Sequence, residues 1–587
     1  METSPQITAE QKTGLSLLPG SWRGWLAVCV LAAAIFFPRF LGLAQYVTPD
    51  EHLWLTRSAN FYYALSHLDF TNTYQRQHPG VTIMWAGALG FIWQYPLYRG
   101  TGLGQINYTT LERYLRNNQA SVTALDLLVA GRTVVVAGQT LVLLLAYLCA
   151  VPLIGFGPAF LGFLLIAFDP FHVALTRLLH LDGLLADLML LSLLAYLHFS
   201  RSRRIWSLAL SGAAAGLSWL TKSPGFILVP VVGLLALFEM WKNRASFHRH
   251  SWARLSWKHL WPPVAWGLVG VVTFVALWPA MWVAPLNMLR RVFSMATTYA
   301  EEGHSSPVFF DGTVFSEGGI GPEYLQFYPL TYLWRSTPTT LIGLGLFLAA
   351  ALVWRKAARQ GHASQTAAGY TVGSLLLMCL IFWLVMDVGS KKFDRYLLPV
   401  YPPLELLAGM GWWAAASWLA QRVSGPMTGG WRRALTPLLL VVAVAAHGWL
   451  TAATYPYYLS YYNPLLGGGA QATKVMQIGW GEGLDQAARY LNQKPNRDNL
   501  RIFSWYAIGS FSYFFQGKSN YIHASEDIKE NQWKQVLNAN YAVIYVHQWQ
   551  RQTPRRLLEY LQDKTPEYTV WINGIEYVRI YNLKEGN

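Results

Sequence analysis

Apolar runs of about twenty residues recur along most of this chain, each long enough to cross the roughly 30 Å hydrocarbon layer of a bilayer as a helix. Inside that layer a backbone has no water to bond, so an apolar run of this kind must take helical form. The runs fall near 22–43, 127–151, 153–173, 182–199, 205–221, 224–241, 262–283, 333–353, 369–387, 396–419 and 434–453, about eleven transmembrane helices in all. Hydrophobic residues make up 53% of the 587 and charged residues only 13%, which excludes an ordinary soluble enzyme. The first run is longer than the core of a signal peptide and has no clear cleavage site, so it reads as a retained span. The polar residues 1–21 before it form a cytoplasmic tail. The three cysteines, Cys29, Cys149 and Cys379, lie far apart in apolar runs and suggest neither a disulfide framework nor a thiolate metal site.

The formal charge of +15 raises the question of nucleic acid, but much of it sits in short loops between spans, where topology explains it and no nucleic-acid partner is called for. The basic loops 201–204, 242–258, 355–359 and 422–433 are each two spans apart. All four therefore share one side, the cytoplasm by the positive-inside rule. Asp182, one span before the first of them, falls on the outer side. Asp50 lies in the long loop 44–125, which contains a further apolar stretch at 79–98. If that stretch lies along the surface, Asp50 and Asp182 share a face; if it crosses, they do not. The residues alone leave both readings open.

Three stretches carry candidate chemistry. In Thr48-Pro49-Asp50-Glu51, Thr48 and Glu51 fit a helix capping box and Pro49 fits the first helical position, which accounts for Glu51 but does not require Asp50. In the stretch from Arg177 to Gly183, Arg177 and Asp182 are ionisable groups near membrane depth, where such groups are costly and point to function; Asp182 could also serve only as a cap. Asp187 lies deeper in the same helix. In Lys391-Lys392-Phe393-Asp394-Arg395-Tyr396 three cations run against the positive-inside bias. They suit either lipid headgroups or the phosphate of a lipid-linked substrate, with Arg395 as a bidentate clamp and the lysines as point charges. Lys222 is another outward cation, in a hairpin between spans. The outer loop 284–332 adds Glu302 and His304 as residues near a site. A divalent cation is compatible with them, but no paired-histidine spacing calls for one, and no cofactor is indicated. No Walker A loop is present.

Residues 455–587 differ in kind. Strand-like segments at 500–505, 541–546 and 568–572, the last turning through Asn573-Gly574 into 576–581, alternate with helical patterns at 482–491, 532–537 and 554–561. They predict a soluble α/β domain on the outer side. The organisation expected is thus a tail (1–21), a membrane domain (22–454) and an outer domain (455–587).

The membrane domain resembles the glycosyltransferases of family 39 and their relatives, the protein O-mannosyltransferases and lipid A aminoarabinose transferases, which share a C-type glycosyltransferase fold. The resemblance covers most of residues 20–455. It rests on Asp50-Glu51 after the first span, His78-Pro79, Arg132, Arg177 with Asp182, and Gly216-Leu217 with Leu220-Thr221-Lys222-Ser223-Pro224. Phe327-Tyr328-Pro329 with Thr337-Pro338 adds to it, as does the run Lys392, Arg395-Tyr396, Leu398-Pro399 and Pro402-Pro403-Leu404. The chain departs from the mannosyltransferase pattern at Gly80-Val81-Thr82, where Pro-Leu-Gly-Lys is expected, and it has no recognisable sugar-binding repeat domain between spans.

The resemblance implies that 79–98 lies at the membrane surface. It also implies a sugar donor carried on a polyprenyl phosphate, with inverting transfer on the outer face of the plasma membrane to a hydroxyl of a protein, glycan or lipid. On that reading Asp50 is the base, with Glu51 as second choice, and Asp182 orients. Lys392 and Arg395, with Lys391, Arg177 or Lys222, stabilise the departing phosphate, while His78 and Tyr396 lie close by. A transporter or flippase of lipid-linked phosphates, or a scaffold built around the outer domain, would use many of the same features. Transporters often show two corresponding halves, and no such internal symmetry is visible.

Overall fold

The computed structural model describes residues 20–584 apart from 77, 102–103, 107–109, 244–251, 302–305, 316–318, 360–365, 423–428 and 522–527. Among the described residues seven helices are long and apolar enough to span a bilayer, and nine if each of two sharply bent pairs is one span. This is a multi-pass membrane protein. The expected span at 205–221 is a helix of 17 residues, short for a crossing. The one at 396–419 is a helix over Tyr401–Arg422 that carries Glu405, two prolines and three tryptophans, and it is not among the seven.

The first elements place the candidate residues. Helix α1 (Trp22–Phe40) leads through a short loop to α2 (Glu51–Ser66), which packs against α3 (Val81–Gln94). At 1.5 Å per residue the 14 residues of α3 reach only about 21 Å, too short to cross, so the 79–98 stretch does not divide Asp50 from Asp182. Gly80, with φ of +60°, turns the chain into α3 where a Cβ would lie 2.2 Å from the Trp54 ring. Next come α4 (Ala124–Ile154), α5 (Phe156–Phe168), α6 (Pro170–Thr176), α7 (Leu181–Ser202) and α8 (Ile205–Thr221).

The run predicted as one span at 153–173 is broken by 67° between α5 and α6. Pro170 has no N–H to continue the ladder, and Asp169 caps the new helix by accepting from the His172 N–H at 2.6 Å. The freed carbonyls of Ile166 and Ala167 accept from the buried Arg39 of α1. Arg39 also reaches His172, whose Nε2 lies 2.9 Å from Asp187, so Asp187 belongs to this internal network.

The C-terminal domain is a five-stranded sheet, β3 (Arg501–Ser504), β4 (Lys518–Tyr521), β5 (Tyr541–Tyr545), β6 (Tyr568–Ile572) and β7 (Ile575–Asn582), following a small hairpin of β1 (Val308–Phe310) and β2 (Thr313–Phe315) in the membrane domain. Its order is β4-β3-β5-β7-β6, parallel across β4-β3-β5 and antiparallel beyond. The expected Asn573-Gly574 turn joins β6 to β7, both residues having positive φ. The domain docks against the loop before α2. Gly481, with φ of +108°, comes so close that a Cβ there would lie 2.5 Å from the Val47 carbonyl. Tyr457 and Gln45 both donate to Asp485, at 2.8 and 3.3 Å.

Candidate functional site

α2 begins at Glu51, two residues later than the proline pattern suggests, with Asp50 at its N-cap and no cap bond from the Asp50 side chain. The capping work falls to Glu51, whose carboxylate accepts from the Thr48 N–H and hydroxyl, both at 3.0 Å. It also accepts from both arms of Arg132 and, at 2.9 Å, from the Leu179 N–H. Five hydrogen bonds saturate this fully buried group, which ties α2, α4 and the α6–α7 turn together. Its neighbour Asp50 and Leu179's neighbour His180 are thereby set facing each other.

What results is a ring of charged groups. Asp50 Oδ2 lies 3.5 Å from His180 Nε2, and His180 Nδ1 lies 3.5 Å from Asp182 Oδ2. Arg395 closes the ring, its Nε 3.6 Å from Asp182 and its Nη2 3.7 Å from Asp50. Lys222 Nζ holds the other oxygen of Asp182 at 2.7 Å and lies over the Tyr396 ring. The four ring contacts are longer than ordinary hydrogen bonds. His180 Nδ1, Asp182 Oδ2 and Arg395 Nε are buried without a hydrogen-bond partner among the described residues. The ring is held in place without being saturated.

Asp50 is the member that meets water, with its side chain 36% exposed. Burial pushes its carboxyl upward, but the neighbouring His180 ring and the Arg395 guanidinium outweigh that and hold it well below the usual carboxylate range. Lys391 is half-buried, and burial together with Arg395 lowers its hold on its proton. His78 stands beside Lys222 and Lys391, and burial with those cations brings it down to about 3, so it is neutral. Its segment is fastened to the Lys222 hairpin by the Gly80 N–H to the Thr221 carbonyl at 3.2 Å and by Thr82 with Thr221 at 2.8 Å.

Asp50, Asp182, Lys222, Arg395, Tyr396, Lys391 and His78 are therefore brought together. Lys392 lines the same cavity, but its charge is balanced by Asp387 at 2.7 Å. Arg177 turns away, donating to the Leu41 carbonyl and lying over Tyr458. Glu302 and His304 lie outside the described residues. Among the described residues no cluster of His, Cys, Asp and Glu could hold a metal ion.

Asp50 and Arg395 open onto a cavity of about 470 Å³ whose far wall is the C-terminal domain. Trp480 crosses from that domain into the ring, its indole 4.4 Å from the Arg395 guanidinium and edge-on to His180 at 4.9 Å. His180 and Trp480 were not among the sequence candidates. The sequence signal for Trp480 was Gly479-Trp480-Gly481-Glu482-Gly483, three alternating glycines, all of positive φ, presenting a Trp and a Glu.

Residues 128–277, from α4 to beyond Lys222, match the family model described as dolichyl-phosphate-mannose-protein mannosyltransferase. The match falls within the stretch over which the sequence resembles family 39. Among solved structures it is similar to ArnT from Cupriavidus metallidurans bound to undecaprenyl phosphate, at 14% identity over 95% of this chain and 98% of that one, with a TM-score of 0.47. It is also similar to the Archaeoglobus fulgidus oligosaccharyltransferase AglB, at 13% identity over 90% and 70%, TM-score 0.46. A third similarity is to the Saccharomyces cerevisiae Pmt1–Pmt2 O-mannosyltransferase complex, at 17% identity over 55% and 42%, TM-score 0.37. No curated protein matches the chain in sequence.

Proposed function

We propose that this protein is an inverting glycosyltransferase that moves a sugar from a polyprenyl-phosphate carrier to an acceptor hydroxyl on the outer face of the plasma membrane. The observation that carries the reading is the pairing of a water-accessible carboxylate, Asp50, with a guanidinium, Arg395, 3.7 Å apart at the mouth of one cavity. The reaction needs one group to take a proton and another to receive negative charge, and these two supply both.

In the resting site Asp50 is a weak base, because the Arg395 guanidinium beside it stabilises its charge. A donor phosphate bound at Arg395, with Lys391 and Lys222 nearby, draws that cationic stabilisation away from Asp50 and raises its proton affinity. The acceptor oxygen then attacks the anomeric carbon and gives its proton to Asp50, while the bond from that carbon to the phosphate oxygen breaks and its electron pair leaves with the phosphate. Asp182 positions Lys222 and Arg395 and does not itself take the proton.

The test is transfer from radiolabelled polyprenyl-phosphate sugars by purified protein in detergent, where no gradient exists for a transporter to use. Asp50→Asn should lower turnover by roughly 10²–10⁴-fold while donor binding persists. Undiminished transfer by the folded variant would remove Asp50 from the role.

A further inference from the structure

The cavity wall that faces Asp50 takes no part in the transfer step, and that wall belongs to the sheet domain. Trp505 and Tyr506 follow directly on β3, and His547 and Arg551 follow on β5. In the order β4-β3-β5 the chain leaves β3 to one side for β4 and returns to its other side for β5. The adjacent carboxyl ends of β3 and β5 are therefore a topological switch point, where open α/β sheets form a ligand crevice. Here the crevice opens into the catalytic cavity.

Two of its buried polar atoms have no partner among the described residues: Oε1 of Glu482, which is 1% exposed, and Nε1 of Trp505, also 1% exposed. One accepts a hydrogen bond and the other donates. The second Glu482 oxygen accepts from the Trp480 N–H and the Tyr545 hydroxyl, which fixes the carboxyl in place. Trp480, Tyr506 and Phe310 line the same cavity.

We infer that the C-terminal domain forms the acceptor subsite and that the acceptor is a carbohydrate. The inference rests on the glycosyltransferase reading of the Asp50 cavity. A sugar ring offers an apolar C–H face to aromatic rings and a rim of hydroxyls that both donate and accept, which is what Glu482 and Trp505 supply. A peptide adding to the sheet would need an edge strand, but the edges are β4 and β6, and the cavity is lined from the ends of β3 and β5.

Saturation-transfer NMR on the full-length protein in detergent tests this with three probes: maltotriose, N,N′-diacetylchitobiose and a serine/threonine hexapeptide. Binding of undecaprenyl phosphate is measured on the same samples. At least one saccharide should bind, and Trp505→Phe and Glu482→Gln should each weaken it at least tenfold while undecaprenyl phosphate still binds, which also shows that each variant is folded. Binding of the hexapeptide alone, no binding of either saccharide, or saccharide binding indifferent to both variants would overturn the inference. Loss of undecaprenyl phosphate binding by the unmodified protein would instead count against the donor side of the proposed function, whatever the saccharides do.

Discussion

The Glu51–Arg132 pair separates two roles that a carboxylate next to Asp50 could have. Both side chains are buried, at 0% and 2% exposed, and Glu51 meets only donors: Arg132 twice, Thr48 twice and Leu179 once. Glu51→Gln puts an amide N–H₂ against some of those donors and leaves Arg132 as an unpaired buried cation. Breaking such a pair costs about 3–5 kcal/mol. Arg132→Met should cost a similar amount by stranding Glu51. The double variant removes both charges and should recover about 0.5–3 kcal/mol relative to additivity. Burial lifts the Glu51 carboxyl, but Arg132 and the Thr48 and Leu179 N–H groups bring it below its ordinary value. The stabilisation is therefore present at neutral pH and lost as pH falls through that lowered value. Denaturant unfolding in detergent, followed by tryptophan fluorescence, reads the stability, and transfer per folded molecule is measured alongside. A Glu51→Gln protein as stable as wild type yet without turnover would refute the structural role and make Glu51 the acid/base group. A double variant no more stable than the sum of the single losses would refute the pairwise argument.

Gly80→Ala places a Cβ against Trp54 at a φ of +60°, and should destabilise by about 1–3 kcal/mol; an unchanged thermal midpoint would show that the turn can relax. Arg395→Lys keeps the charge but loses the planar fork, so donor KM should rise about tenfold, the equivalent of one charge-assisted hydrogen bond. An unchanged donor titration would move the phosphate role to Lys391 and Lys222. Burial pushes the Asp485 carboxyl up to about 6, against the pull of Tyr457 and Arg489. A folded value above the unfolded one of about 3.9 stabilises the protonated form, so this group's contribution is lost as pH rises from about 4 through 6. Asp485→Asn should abolish that loss, and midpoints at pH 5 and pH 7.5 that move in parallel for wild type and variant would contradict it.

Much of the fold was legible because its patterns are local. The strands at 541–545 and 568–582 show β-branched and aromatic runs around an Asn-Gly turn, and the structure forms them there. Strand β4, Lys-Ser-Asn-Tyr, carries no such pattern, because an edge strand needs little apolar surface and is recognised only by its partner. The break at Asp169-Pro170 was hidden inside an apolar run, since the Arg39 that donates to the freed carbonyls comes from α1, far back in the chain. At the site, Asp50, Asp182, Lys222 and Arg395 stood out as charges where charge is expensive. His180 and Trp480 did not: a lone histidine between leucines reads as core, and a tryptophan in a glycine-rich turn has no evident partner until the two domains are seen packed together. Arg177 and Lys392 show the converse: a cation in a suggestive run can be spent on a nearby carbonyl or carboxylate.

The wall supplied by the sheet domain bears on how the protein is made. Asp50 and Trp480 stand some 430 residues apart in the chain, yet they border one cavity. At about 5–20 residues per second, the ribosome takes roughly 20–90 s to pass from one to the other. Through that interval the membrane helices can assemble around Asp50 and Arg395 while the cavity still lacks its far side. A growing chain thus enters the membrane without the surface that faces its carboxylate, and a chain truncated before the sheet would leave that charge ring open to water. Synthesis of the sheet domain is in this sense the last step in building the site.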